Sequence, residues 1–269
     1  MVCAKSFSIQ GSIYVFLDID SLQSVAADEQ SDAENRIKNV LKRWPNLYQW
    51  AVHTITPSLY SGLTVKKFLT RYANNTSVKI INVGSGPTKL HQNVINVDVF
   101  PFPNVNVIAD ASSLPFHEDS FDIACSEQVL EHVSRPYELV AELIRVTKPG
   151  GLIYLGAPFL YPLHPSPKDY TRWTFDGLAL LHPGCDVVEK GIMVGPTSSF
   201  LVLLASWLGL VCSFGIPLLR VWMTYLFFLL CSPFKLLDYV VTRIPGAEGI
   251  ASSLYVVLRK SNSASATHI

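Results

Sequence analysis

The stretch Ile80-Ile81-Asn82-Val83-Gly84-Ser85-Gly86-Pro87 is a short run of branched residues that stops on two glycines one residue apart. A buried strand reads as a nearly continuous apolar run, and glycines at its carboxyl end let the backbone come close to a ligand. By itself such a turn is structural as often as functional. The chain beyond it decides the fold. Further short β-rich runs lie at Val94 to Val97, Val105 to Ala109, Phe121 to Cys125 and Leu152 to Gly156, separated by turn residues and helical patterns. Strands alternating with helices predict a parallel sheet covered on both faces. The clearest helix precedes the fifth run. Pro136 suits its first turn, Leu139, Val140, Leu143 and Ile144 form its apolar stripe, and Lys148, Pro149, Gly150 and Gly151 end it.

Outward from the glycines, Asp98 closes the second run and Asp110 the third. Two carboxylates are thus expected on the rim that carries the glycine turn, which in an open α/β sheet is where ligands bind. An acid at the second strand's end can accept from both ribose hydroxyls, and one at the third can accept from an adenine amino group.

The segments NVGSGP, INVDVF, IADASSLPFHEDSFD, SEQVLEHV and RVTKPGGLIYLGAP, over about residues 79 to 159, resemble the class I S-adenosyl-L-methionine-dependent methyltransferases in order and spacing. The resemblance implies a Rossmann-like, seven-stranded, mostly parallel sheet whose seventh, antiparallel strand is supplied by Leu254 to Leu258. It implies S-adenosyl-L-methionine as cofactor, with Gly84, Ser85 and Gly86 beside its methionine part. Asp98 would lie on the ribose, Asp110 and Ala111 on the adenine, and Glu127 and Gln128 near the methyl group. The chain departs from the family pattern twice. Asn82 stands where an acid is common, and only about ten residues separate Gly84 from the second strand, fewer than a parallel crossover usually takes. A shortened crossover argues against a nicotinamide oxidoreductase, which needs the N-terminus of that helix for pyrophosphate.

Chemistry beyond the cofactor is expected after the fifth strand, where His164, Pro165, Ser166, Pro167, Lys168, Asp169, Tyr170, Thr171, Arg172, Trp173 and Thr174 resemble the HxxPxDYxRxT stretch of a branch of these enzymes. His164, Asp169 and Glu127 are the candidate catalytic groups, since methyl transfer to a hydroxyl or amine requires alignment and removal of a proton. A second reading stays open: Asp169 and Arg172 pair to fold the loop, and His164 and His132 are structural. Thr174 is placed to cap a helix starting near Phe175.

Composition sets the remaining bounds. Of 269 residues, 49% are hydrophobic and 16% charged, against roughly 25% charged in ordinary soluble domains. Twenty-one basic and twenty-one acidic residues cancel, so no overall field favours nucleic acid. Cys3, Cys125, Cys185, Cys212 and Cys231 show no CxxC spacing, which argues against a disulfide framework or a zinc site, and no metal is expected. His53, His91, His117 and His182 also lack ligand spacing. The apolar run Ile13 to Leu17 is followed by Asp18 and Asp20 and does not read as a secretory signal.

The surplus of apolar residues is concentrated at 199–234, where Arg220 is the single charge. Because Leu254 to Leu258 must return to the sheet, this segment has to begin and end on one side of a bilayer. A re-entrant or interfacial helical hairpin, broken near Gly215, Ile216 and Pro217, fits better than two spans. Trp207, Trp222 and Tyr225 suit the headgroup region, and Lys235 and Arg243 suit anionic lipid. A buried helical pair or a dimer interface is the alternative. The expected organisation is an N-terminal extension and helical cap at 1–78, with helices from Arg36 to Trp44 and Leu47 toward Leu69. The methyltransferase core follows at 79–198, a hydrophobic membrane-associating insert at 199–245, and the last strand and tail at 246–269. The expected protein is membrane-associated with a cytoplasmic core, acting on a small or lipid-linked substrate. The competing expectation is a membrane-tethered methyltransferase-like binding protein without turnover.

Overall fold

The computed structural model describes residues 8–10, 13–17, 54–73, 77–88, 90, 93–164, 168–182 and 184–262. Among the described residues, nine strands form one sheet: β1 (Ser8–Gln10), β2 (Ile13–Val15), β3 (Ile80–Val83), β4 (Val94–Asp98), β5 (Val107–Ile108), β6 (Phe121–Glu127), β7 (Thr147–Pro158), β8 (Cys185–Val194) and β9 (Ser253–Lys260). Their order is β1-β2-β5-β4-β3-β6-β7-β9-β8. β2, β5, β4, β3, β6 and β7 run parallel to one another, while β1 is antiparallel to β2 and β9 is antiparallel to both β7 and β8. The seven expected strands are therefore present as β3 to β9, and the hairpin β1-β2 widens the sheet to nine by pairing with β5. The helix Arg36 to Trp44 falls outside the described residues. The helix expected from Leu47 toward Leu69 is replaced, where described, by a loop over 57–63 and α1 (Val65–Tyr72). Pro57 and Gly62 break the apolar period, and Thr64 supplies the cap by accepting from the Lys67 amide at 3.4 Å.

Period-two alternation sorts the strand residues between two cores. Ile81, Val83, Val97, Ala124, Ile153, Leu155 and Val256 face α2 (Pro136–Val146) and α3 (Phe175–Ala179), whose Leu139, Val140, Leu143 and Leu178 are buried against them. Ile80, Ile123, Cys125, Tyr154 and Val257 face Val65, Phe68 and Leu69 of α1. Pro136 opens α2 at its first position, and Thr174 caps α3 by accepting from the Gly177 amide at 3.0 Å. The helix α2 stops at Val146 and β7 begins at Thr147, so the lysine, proline and glycines expected to form a turn lie within the strand.

Between β8 and β9 stand α4 (Pro196–Cys212), α5 (Pro217–Cys231), a 3-10 turn (Ser232–Leu237), α6 (Asp238–Val241) and a second 3-10 turn (Ala247–Ile250). Antiparallel neighbours can be joined by a two-residue turn. The sheet therefore has no need of this excursion. The helices α4 and α5 form an antiparallel pair turned by Phe214 and Gly215, both at positive φ. They approach closely at Gly209, where an added Cβ would meet the Thr224 Oγ1 at 2.1 Å.

The root of the pair is fixed by one carboxylate. Asp238 is wholly buried and accepts from the Thr197 amide at 2.7 Å, the Ser198 amide at 2.9 Å and the Ser198 hydroxyl at 2.6 Å. It satisfies donors that the first turn of α4 leaves open and places negative charge at the positive end of that helix. Asp238→Ala strands these donors, so thermal unfolding should show a loss of about 3 kcal/mol or more, whereas Tyr239→Ala, at an exposed neighbour, should stay within about 0.5 kcal/mol.

Candidate active site

The carboxyl ends of β3, β4 and β5 meet as their register dictates. Val83 pairs with Val97, and Asp98 pairs with Ile108. The amides of Gly84 and Ser85 donate to the Val97 carbonyl at 2.8 and 3.2 Å, so the chain turns across the end of β4. Gly84 has φ +71°, and a Cβ there would strike Val129 at 2.2 Å; this position demands glycine. Gly86, at φ +55°, has nothing among the described residues within 4 Å of its would-be Cβ, which leaves open space above the turn. Ser85 is buried beneath it.

Asp98 is buried at this rim, with Oδ2 accepting from the Gly86 amide at 2.8 Å and Oδ1 from the Phe100 amide at 3.0 Å. The Ala109 amide donates to the Asp98 carbonyl at 3.2 Å, which brings the next residue, Asp110, to the same edge. Asp110 is exposed. Its Oδ1 takes the Ser112 amide and hydroxyl at 2.8 and 2.7 Å, and its Oδ2 has no hydrogen bond among the described residues; Ala111 is half-buried beside it. The residues present thus fit a nucleoside: open space over a glycine turn, a buried carboxylate for a ribose and an outward carboxylate oxygen for an amino group. Asn82 is buried and donates to the Asn96 side chain at 3.3 Å, which ties β3 to β4. Described residues between Gly84 and β4 contain no helix. Two cavities, of about 400 and 560 Å³, open at the opposite edge around Lys79, Asn93 and Asn106, away from both carboxylates.

Glu127 ends β6. Its Oε2 accepts from the Val65 amide at 2.6 Å, at the start of α1, and lies 2.9 Å from the Tyr154 hydroxyl. Burial raises its pKa, against the opposing pull of those hydrogen bonds and of Lys67. Lys67 itself bends back onto the carbonyls of Tyr60, Ser61 and Gly62 at 2.9, 3.2 and 2.7 Å. Gln128 holds positive φ and donates to the Ser253 hydroxyl at 3.0 Å.

His164 and Asp169 come together in the loop after β7. Asp169 pairs with Arg172 through both carboxylate oxygens, accepts from the His164 amide at 2.9 Å and lies 3.2 Å from His164 Nδ1. Burial would raise its pKa, but the hydrogen bond from Arg172 and then that from the His164 amide outweigh it and hold the carboxyl at about 2. Arg172 also donates to the carbonyls of Tyr161, Pro162 and Thr171. The loop docks on the turn after β6, where the Tyr170 amide donates to the Glu131 carbonyl at 2.7 Å and His132 Nδ1 lies 2.6 Å from the Lys168 carbonyl. Glu127 faces α1 instead of this loop. Glu131, which sequence reading passed over, is fully buried beside both histidines. Its only signal in the sequence is a carboxylate set between apolar Leu130 and Val133.

A mostly parallel sheet with one antiparallel strand threaded back, a glycine turn and two strand-end acids define a class I methyltransferase fold, whose cofactor is S-adenosyl-L-methionine. Residues 66–155 match the family described as a methyltransferase domain. An uncharacterized methyltransferase of Mycobacterium tuberculosis is 53% identical over 53 residues, which cover 20% of this chain and 21% of that protein. One from Mycobacterium avium is 41% identical over 83 residues, covering 30% and 31%. The matched stretches thus span well under half of these relatives. A chain of the solved complex between the Haloferax volcanii Trm112 methyltransferase activator and a methyltransferase superposes with a TM-score of 0.50 at 17% identity, covering 83% of this chain and 97% of that one, and shows the same fold.

Two outcomes are expected from this geometry. In calorimetry with S-adenosyl-L-methionine, Asp98→Ala should weaken binding tenfold or more, because it removes hydrogen bonds to a charged group and frees the Gly86 amide. Asp169 has a folded pKa below its ordinary 3.8, so its stabilisation is present above that value and is lost as pH falls from about 4 to 2. The melting temperatures of the wild type and Asp169→Asn, well separated at pH 7, should converge across that window.

Proposed function

We propose that this chain transfers a methyl group from S-adenosyl-L-methionine to a small or lipid-linked acceptor at a membrane surface. One observation carries the membrane part: the α4-α5 pair, which the sheet does not need, exposes its apolar side chains. No residue of α5 is buried, and Trp207, Phe214, Leu218 and Trp222 are 58%, 88%, 70% and 67% exposed. Leaving such side chains in water forfeits about 1.5–3 kcal/mol each, and a patch of this size calls for an apolar partner. Helices of 17 and 15 residues extend about 26 and 22 Å, short of a hydrocarbon core of about 30 Å. The continuation Pro217–Val241, of 25 residues, contains an 18-residue window of mean hydropathy 1.4, 11% of it buried, and is long and apolar enough to cross a membrane. Both roots of the pair nevertheless join strands of one sheet, so the pair enters and leaves on one side. Trp207 and Trp222 lie at the interface, as does exposed Arg243. Lys235 instead donates to the Thr56 carbonyl at 3.0 Å and helps hold the root. The core at 79–198 then faces the cytoplasm, with 199–245 as the insert that seats it.

The bound cofactor supplies an electrophilic methyl group on a sulfonium. The protein's share is alignment and proton removal. Asp98 accepts from the ribose, Asp110 from the adenine amino group, and the Gly84 to Gly86 turn admits the methionine portion. Of the three acid-base candidates, Asp169 is unfit as a base with its carboxyl held at about 2. Glu127, raised by burial and with Oε1 free of hydrogen bonds among the described residues, is the group suited to take the acceptor's proton.

Radiolabel from the methyl group of S-adenosyl-L-methionine should appear in a lipid extract of membranes incubated with the protein and vanish with Asp98→Ala. Label confined to protein or nucleic acid rejects this acceptor class.

A further inference from the structure

The turn after β6 and the loop after β7 bring together a group that cofactor binding does not use. Glu131, His132 and His164 each present one ligand atom, all within 4.8 Å of one another. Glu131 is 0% exposed, and neither of its oxygens has a hydrogen-bond partner among the described residues. Its Oε1 lies 3.7 Å from His132 Nε2 and 3.8 Å from His164 Nε2. These separations exceed hydrogen-bonding distance. They are close to the ~3.3 Å between two ligand atoms that share a tetrahedral ion at about 2.0 Å from each.

The second ring nitrogens explain why both Nε2 atoms are free to bind. His132 Nδ1 is 2.6 Å from the Lys168 carbonyl, an acceptor, so that nitrogen carries the proton. His164 Nδ1 lies 3.2 Å from Asp169 Oδ2 and 3.2 Å from the Pro162 carbonyl, nearer than its one donor neighbour, Arg172 Nη2, at 3.4 Å. It too is protonated. Each Nε2 then directs a lone pair toward a buried carboxylate that has no donor. Three electron-pair donors converging without a proton between them are costly to bury, and a cation resolves the conflict. The acceptors behind the rings are the arrangement by which ligating histidines are held in one tautomer and orientation.

We propose that Glu131, His132 and His164 form a site for a divalent transition metal, zinc above all, with a fourth position open to water or another oxygen donor. Two imidazoles and one carboxylate suit zinc, and three protein ligands leave a coordination position free. The histidine side chains are 18% and 31% exposed, which gives the ion a way in. The site does not depend on the methyl-transfer reading, since its ligands are distinct from Asp98, Asp110 and Glu127.

The test is zinc titration of the full chain in detergent after stripping with a chelator, read by calorimetry and by elemental analysis. Wild type should bind one zinc that the His132→Ala/His164→Ala double variant binds at least tenfold more weakly, with circular dichroism showing that the variant is folded. Should the double variant misfold, His164→Gln, at the partly exposed edge, takes its place with the same expected loss. Cobalt substitution should give the visible bands of a four-coordinate ion in the wild type alone. Equal zinc uptake by wild type and variant, or none by either, overturns the site whatever the outcome of the methyl-transfer assay.

Discussion

The strand β9 is held on both sides, by β7 over seven register pairs and by β8 over eight, and all else at this end of the molecule follows from that. A central strand made from the last described stretch of chain obliges everything before it to come home. Seven of its backbone positions are paired with both neighbours, so the chain between β8 and β9 can leave the body only if it returns to within a strand's width of its start. The apolar pair of helices lives inside that obligation. Asp238 closes it from below, since a wholly buried carboxylate has to find donors, and the open amides at the start of α4 supply them.

The same economy of buried polar groups organises the rest of this rim, where the carboxyl ends of the parallel strands lie. Asp98 is buried by its place at the end of β4, and the glycine turn meets part of its demand. A buried carboxylate that accepts from the Gly86 and Phe100 amides at a strand end is chemically suited to a hydroxylated ligand. Asp110 repeats the arrangement in exposed form, with one oxygen spent on Ser112.

Most of this rim was legible in the sequence because fully buried parallel strands leave continuous apolar runs and their ends are marked by glycine and aspartate. Ile80–Val83 was readable to the residue. β8 was not, for Asp186, Glu189 and Lys190 interrupt its pattern as befits an edge strand mostly open to water. The three-residue strands β1 and β2 are too short to carry a period. Around the loop after β7, the pairing of Asp169 with Arg172 could be foreseen from their spacing of three. The convergence of His132 and His164 on Glu131 could not, because it is created by the docking of two loops distant in sequence. Nor could α1's dependence on Glu127, a contact between residues on either side of the glycine turn.

The Ser198 hydroxyl does two things: it donates to Asp238 at the foot of the apolar pair and accepts from the Leu59 amide at 2.9 Å. Leu59 lies in the loop whose Leu63 carbonyl takes the Tyr154 hydroxyl, which in turn sits against Glu127. The greasy appendage and the end of β6 are thus stitched by a short series of polar links through one loop. A tug on the appendage is borne first by the Ser198 hydroxyl, and the segment that would feel it next is the one roofing Glu127.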